Sequence, residues 1–231
     1  MVKIMNKRCT YFLIAITFIL ISFFGMKYSQ DPFRILPLYV SIVVMLLQTR
    51  VNRYAFLIGG LNSILYAVVY CCYKLYASAI NALCISCTMQ IVTFINWGKN
   101  PYKDNSTVFR ELGTKKRMLY SILFAVMWFV CYNVFKHMGS NKTMLDNTIM
   151  LTGISTTLLT MFSYVEWVYM QNIGIILNLI MYSSMIKENP EMSAYLVSMI
   201  YSLISAIITF IKVNKLYKEQ KTEGISIGHC V

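Results

Sequence analysis

The sequence predicts an all-α integral membrane protein of about eight transmembrane helices. Of its 231 residues, 58% are hydrophobic and 13% charged, with mean hydropathy +0.59, which is not how a soluble single domain reads. The apolar residues arrive in blocks of roughly 18 to 22, the length that crosses a bilayer. The basic residues fall in the short breaks between blocks rather than on one folded face, so the net charge of +12 reads as membrane orientation and not as a nucleic-acid surface.

The spans follow in order. Residues 10–26 come after Lys7 and Arg8 and resemble a signal peptide, but Gly25-Met26-Lys27-Tyr28 offers no small-x-small cleavage site, so the segment reads as a retained first helix. Residues 33–49, 54–73 and 75–97 give the next three spans. The break from Gly98 to Arg117 is the longest; it is polar, carries Asn100-Pro101 and Gly113, and is expected to lie in water. Residues 118–136, 145–164, 166–185 and 193–212 complete the set.

Counting Lys and Arg by side fixes the expected direction. With the N-terminus inside, Lys3, Lys7, Arg8, Arg50, Arg53, Lys99, Lys103, Arg110, Lys115, Lys116, Arg117, Lys212, Lys215, Lys218 and Lys221 share one side, and only Lys27, Arg34, Lys74, Lys136, Lys142 and Lys187 of the 21 fall on the other. The positive-inside bias therefore places both termini in the cytoplasm of a multi-pass cell-membrane protein. The seven cysteines are an odd set, mostly within apolar blocks, where a thiol behaves as a small hydrophobe. Cys84-x-x-Cys87 has metal or redox spacing, yet it lies mid-helix without a second pair, and the histidines are His137 and His229. No metal set, cofactor motif or catalytic constellation follows. No phosphate loop is present, and Asp146 and Glu166 sit at helix ends without a nucleophile, so the chain reads as no enzyme.

Two short matches share one offset. Leu61-Asn62-Ser63-Ile64-Leu65-Tyr66 and Leu177-Asn178-Leu179-Ile180-Met181-Tyr182 lie 116 residues apart, as do Thr93-Phe94-Ile95 and Thr209-Phe210-Ile211. A duplication of helices 2 to 4 as helices 6 to 8 explains both. Helix 5, as a lone connecting span, restores direction, so the two three-helix repeats run parallel about an axis along the membrane normal. The expected organisation is 1 + (3+1+3): an extra N-terminal helix in 1–32, a first repeat in 33–97, a cytoplasmic loop and connecting helix in 98–144, a second repeat in 145–213, and a cytoplasmic tail in 214–231.

Polar stripes run along three helices. Trp167, Gln171, Gly174, Asn178 and Tyr182 recur at helical spacing in helix 7, Ser86, Gln90, Thr93 and Trp97 in helix 4, and Asn62, Tyr66, Tyr70 and Tyr73 in helix 3. Amides in hydrocarbon cost several kcal/mol unless paired, so these faces meet protein or a wet cavity. Asn62, Gln90 and Asn178 lie roughly 14 to 18 Å from the basic side at 1.5 Å per residue, near the midplane, where repeat-built transporters bind solute. The candidate substrate residues are Asn62, Tyr66, Gln90, Thr93, Trp97, Trp167, Gln171, Asn178 and Tyr182. Amides beside aromatics suit a neutral or cationic ring carrying hydroxyls, and the absence of a mid-span carboxylate favours passive movement. Bonding between helices is the competing use for each amide.

Asn52-Arg53-Tyr54-Ala55-Phe56, Lys74-Leu75-Tyr76, Met89-Gln90 and Trp97-Gly98-Lys99-Asn100 resemble the first repeat of the PnuC family of nicotinamide riboside transporters. Leu145-Asp146 and Glu166-Trp167 are similar to that family's signatures in the second half, so the resemblance spans roughly residues 33 to 213. Where the family commonly carries Trp-x-x-Trp early in helix 7, this chain has Trp167 with Met170 or Val168 with Gln171. The resemblance implies a SWEET-like fold and facilitated uptake of nicotinamide riboside, trapped inside by a separate cytoplasmic kinase. Thiamine, riboflavin or a deoxynucleoside on the same fold is the alternative, and a non-transporting receptor or scaffold is the alternative of another class. The partners expected are a small vitamin or nucleoside and the lipid bilayer, with no nucleic acid; a homo-oligomer is left open.

The topology is testable. Cysteines introduced into residues 99–117 of a thiol-free background are expected to resist labelling from outside intact cells, whereas one at Ser140 is expected to react; labelling of the 99–117 loop overturns the orientation.

Overall fold

The computed structural model describes residues 7–140 and 142–225, and within them the chain forms eight helices. These are α1 (Lys7–Lys27), α2 (Pro32–Thr49), α3 (Tyr54–Cys72), α4 (Tyr76–Lys99), α5 (Thr114–His137), α6 (Thr143–Met161), α7 (Trp167–Met185) and α8 (Met192–Thr222). Lys3, His229 and Cys230 lie outside the described residues. Six of the helices are long and apolar enough to cross a membrane on length and composition. The other two, α6 and α7, have 19 residues each, enough to span, and they carry the Thr, Asn and Gln residues that lower their hydropathy.

Turn chemistry sets the helix ends. The helices α1, α2, α3, α5 and α6 stop in the same way, with a left-handed residue after the cap and the next amide reaching back five residues. Asn52 N donates to the Leu47 carbonyl at 3.1 Å, Leu75 N to Tyr70 at 2.9 Å and Tyr164 N to Leu159 at 2.8 Å. Glycine fills the left-handed position after α5, at Gly139 (φ 73°), and after α8, at Gly224 (φ 69°); elsewhere it is Ser29, Val51, Lys74 or Ser163. At Val51 (φ 56°) the branched side chain opposes that conformation, and it is held there by burial against the aromatic cluster at its end of the bundle.

Six helices close a ring. Taken around the bundle, α2 packs on α3, α3 on α4, α4 on α6, α6 on α7, α7 on α8, and α8 on α2. Two helices stand outside it, α1 against α8 and α2, and α5 against α6. Lipid-facing side chains such as Leu119, Ile122, Phe129 and Val130 cover α5, whose buried residue is Phe135.

The breaks alternate between the two ends. One end gathers Arg50, Arg53, Lys99, Lys103, Arg110, Arg117 and Lys212, as shown by Lys212 Nζ on the Arg50 carbonyl (2.8 Å), Arg53 N on Asn105 (3.2 Å) and Arg110 N on Ser163 (2.9 Å). The opposite end joins Arg34 to Glu191 at 3.3 Å and Lys142 to Glu188 at 3.9 Å.

Two expectations change here. The break before α5 does not simply lie in water, since Ser106, Thr107 and Phe109 are buried beneath the bundle. Its backbone is satisfied by protein: Phe109 N donates to Gln220 Oε1 at 2.8 Å, Gln220 Nε2 to the Thr107 carbonyl at 3.0 Å, and Leu112 N to Glu166 Oε1 at 2.9 Å. For that reason α8 runs past residue 212 to Thr222, because Gln220 must reach the loop. Ser140, chosen above as a labelling reporter, is buried and bonded to Asp146 at 2.7 Å, so exposed His137 is the better position.

Asp146 is fully buried near the start of α6. Its carboxylate accepts the amides of Ala77 and Ser78, each at 3.2 Å, along with the hydroxyls of Ser78 and Ser140. It therefore closes the N-terminus of α4, where free amides and the helix dipole favour an anion. Replacing Asp146 with Ala strands four buried donors, so a loss of about 2 to 4 kcal/mol is expected, read as a fall in Tm of roughly 5 to 15 °C on purified protein; an unchanged Tm contradicts this role.

Candidate substrate site

A cavity of about 250 Å³ lies between α4, α6 and α7, with Gln48 of α2 and Phe56 and Tyr70 of α3 closing its side. From α4 come Ser78, Asn81, Ser86, Gln90 and Thr93; from α6, Thr152, Thr156 and Thr160 at steps of four; from α7, Trp167, Gln171, Gly174 and Asn178. No lining residue is charged. Ser78 to Thr93 spans about 22 Å at 1.5 Å per residue, so the cavity follows the helix axes through most of the bilayer.

Local breaks make room for it. Residues Asn81–Ser86 of α4 form a π-helical stretch, which loosens the helix and turns Asn81 and Ser86 inward. Opposite Asn81 stands Gly153, where a Cβ would come within 2.8 Å of Asn81 Nδ2. Only glycine admits the amide at that spacing.

Much of the lining is held by its neighbours. Gln171 Nε2 donates to Gln48 Oε1 at 2.6 Å, and Gln90 Nε2 to Ser63 Oγ at 3.1 Å. The hydroxyls of Thr93, Thr152, Thr156 and Thr160 donate back along their own helices, which leaves their lone pairs for a guest. Three buried lining atoms have no partner in the protein: Asn81 Oδ1, Gln171 Oε1 and Trp167 Nε1. Two acceptors and a donor, each costing about 1 to 3 kcal/mol while unpaired, thus belong to residues around one small space.

At the basic end stands an aromatic cluster. Trp97 packs edge-on against Phe56 at 4.6 Å and Phe109 at 5.7 Å and donates to the Thr160 carbonyl at 2.9 Å. At the opposite end stand Tyr70, Tyr182, Tyr195 and Tyr73, the last bonded to Glu191 at 2.6 Å.

Of the nine residues singled out in the sequence, Gln90, Thr93, Trp167, Gln171 and Asn178 line the cavity. Asn62, Tyr66, Trp97 and Tyr182 do not. Asn62 turns to α2 and donates to the Pro37 carbonyl at 3.1 Å and Ser41 Oγ at 3.0 Å, and Tyr66 Oη meets the same Ser41 at 2.8 Å. The reason is helical drift: each step of four turns the face by about 40°, so Tyr70 points about 80° away from Asn62. Trp97 belongs to the aromatic cluster at the basic end, and Tyr182 to the tyrosine cluster. Asn81, Gln48 and the threonines of α6 were missed. The Thr152, Thr156, Thr160 spacing is visible in the sequence, but threonines satisfy themselves within a helix and carry less signal than amides.

Residues 31–217 match the family model described as nicotinamide mononucleotide transporter. Among solved structures, the fold is similar to that of "Crystal structure of the Vitamin B3 transporter PnuC", at 19% identity and TM-score 0.74, over 90% of this chain and 92% of that one. No curated protein matches.

The placement of Asn62 separates scaffold from site. Asn62→Ala is expected to lower Tm by several degrees, since it removes two bonds between α3 and α2, while ligand affinity per folded molecule stays within about twofold of wild type; a large loss of affinity at unchanged Tm would return Asn62 to the site.

Proposed function

Because the chain belongs to the nicotinamide mononucleotide transporter family, it is a multi-pass membrane transporter and not an enzyme, and we propose that its solute is nicotinamide riboside, moved down its gradient into the cell. The observation that carries this reading is the uncharged lining of the cavity. A mononucleotide brings a phosphate of nearly two negative charges, which calls for Arg, Lys or a helix N-terminus, and the lining supplies no cation. The riboside brings hydroxyls, a carboxamide and a cationic pyridinium. Its hydroxyls can donate to Asn81 Oδ1 and Gln171 Oε1, its carboxamide oxygen can accept from Trp167 Nε1, and the ring can lie against Trp167, Phe56 or Tyr70. The cavity volume also favours one ring plus a sugar over the three fused rings of riboflavin.

Within the proposal, the basic end faces the cytoplasm of the cell membrane and both termini lie there, as the positive-inside bias requires. Passive movement equilibrates the solute, so accumulation needs an enzyme inside that modifies it; a kinase adding the phosphate this cavity rejects fits that role. The two repeats, 33–97 and 145–213, form the core about an axis along the membrane normal, with 1–32, 98–144 and 214–231 outside. Contacts related by nearly the 116-residue offset support this. Asp146 reaches the start of α4 at Ala77, and Gln30, its counterpart, reaches the start of α8 at the Glu191 carbonyl.

The test is flux and binding with the purified chain. In liposomes, riboside uptake is expected to saturate, to level at equal concentrations without an ion gradient, and to be competed by the mononucleotide at least tenfold less well than by unlabelled riboside. Gln171→Ala and Asn81→Ala should each weaken riboside binding by roughly 5- to 150-fold at near-native Tm, whereas exposed Ser183→Ala should not. Equal transport of the mononucleotide overturns the substrate, and absent flux overturns the mechanism.

A further inference from the structure

A second cavity, of about 430 Å³, lies between α1, α2 and α8 at the basic end. We propose that it is a site for the headgroup of an anionic phospholipid from the leaflet at that end. It is separate from the solute cavity and shares no lining residue with it.

The cleft arises from how α1 leans on the bundle. The close contacts between α1 and α2 lie in the second half of α1: Ser22 Oγ to Tyr39 Oη at 2.8 Å, Phe18 tilted against Tyr39 at 4.6 Å, and Gly25 against Ile35. Toward the basic end the two helices part. Thr10, Tyr11 and Leu13 of α1 then face Leu46, Thr49 and Arg50 of α2 across open space. Its floor is α8, with Tyr201, Ser205, Ile208 and Lys212.

Charge is graded along this cleft. Leu13, Leu46 and Ile208 form an apolar wall toward the membrane interior, and Arg50 and Lys212 stand at the outer rim. Lys212 Nζ donates to the Arg50 carbonyl at 2.8 Å, which holds the two basic residues together. Among the described residues no carboxylate pairs with the Arg50 guanidinium. Tyr11, 63% exposed, stands where the cleft opens sideways, a position interfacial tyrosines favour.

A phosphate diester carried on acyl chains satisfies all of these at once. Its phosphate meets the Arg50 guanidinium at the basic rim and the hydroxyl of Thr10, and its chains follow the apolar wall. Basic pockets between membrane helices take anionic headgroups on these terms. A soluble phosphate gains nothing from the wall, and a zwitterionic headgroup presents its own cation to Arg50.

The experiment uses the purified full chain in neutral detergent, with soluble dioctanoyl lipids as probes and binding read by native mass spectrometry. Dioctanoyl phosphatidylglycerol should bind saturably and at least tenfold more tightly than dioctanoyl phosphatidylcholine, and inorganic phosphate at equal concentration should not displace it. Arg50→Gln should weaken phosphatidylglycerol binding about tenfold with Tm unchanged, Arg50→Lys should keep most of it, and Leu46→Trp should block it by filling the wall. Equal binding of the two lipids, displacement by phosphate alone, or full affinity in folded Arg50→Gln each overturns the proposal. None of these outcomes bears on the solute, because riboside binding is measured at the other cavity.

Discussion

A carboxylate buried among helices has to be surrounded by donors, and Asp146 shows what that requirement builds. Two amides and two hydroxyls converge on it from the start of α4 and from Ser140 before α6. Ionised carboxylates in apolar surroundings are tolerated only with such satisfaction. The same contact fixes the distance between α4 and α6, the two walls that face each other across the solute cavity. The π-helical stretch beginning at Asn81 follows within one turn of the fixed point, so the irregular part of α4 is anchored at its upper edge. Glu166 plays a comparable part at the opposite end, where it ties the start of α7 to Leu112 N and to Arg117 at 2.7 Å.

With its walls fixed in this way, the cavity is asymmetric even though the sequence offset is regular. At 116 residues, Asn178 corresponds to Asn62, Gln171 to Ala55, Gln90 to Ala206 and Trp97 to Val213. Asn178 lines the cavity, but Asn62 is consumed by Pro37 and Ser41. The cavity lining comes mostly from α4, α6 and α7; Gln90, Trp97 and Gln171 correspond to small or apolar residues, whereas Thr93 and Asn178 correspond to Thr209 and Asn62. A site on one side of the helix ring can hold one unsymmetrical solute without offering it a second pose.

The unpartnered atoms Asn81 Oδ1, Gln171 Oε1 and Trp167 Nε1 set the energetic character of the site. A guest gains by pairing them, and because the protein atoms are already desolvated the gain is limited by the guest's own desolvation, to about 1 to 3 kcal/mol per bond. That suits a carrier, which must release what it binds. The surrounding threonines present acceptor lone pairs and no charge, and in the proposed reading a phosphate is disfavoured there by being left unpaired instead of by repulsion.

The sequence by itself determined the helices, their count, and the segregation of basic residues to one end, because blocks of apolar residues near 20 long have no other use in a chain this hydrophobic. It also marked Gln90, Thr93, Trp167, Gln171 and Asn178, since amides and aromatics at helical spacing in apolar blocks demand a polar or protein surface. Which surface each would find was decided only in three dimensions. Asn62 and Gln171 look alike along the chain, but one meets a neighbouring helix and the other a cavity, and rotation by a few tens of degrees makes the difference. The packed loop at 106–112 and the extension of α8 escaped the sequence for a related reason: their polarity reads as exposure, whereas Gln220 and Glu166 satisfy that backbone from far along the chain. The cavity itself depends on Gly153 standing opposite Asn81 and on α4 loosening there, and neither a glycine nor an asparagine announces alone which helix will face it.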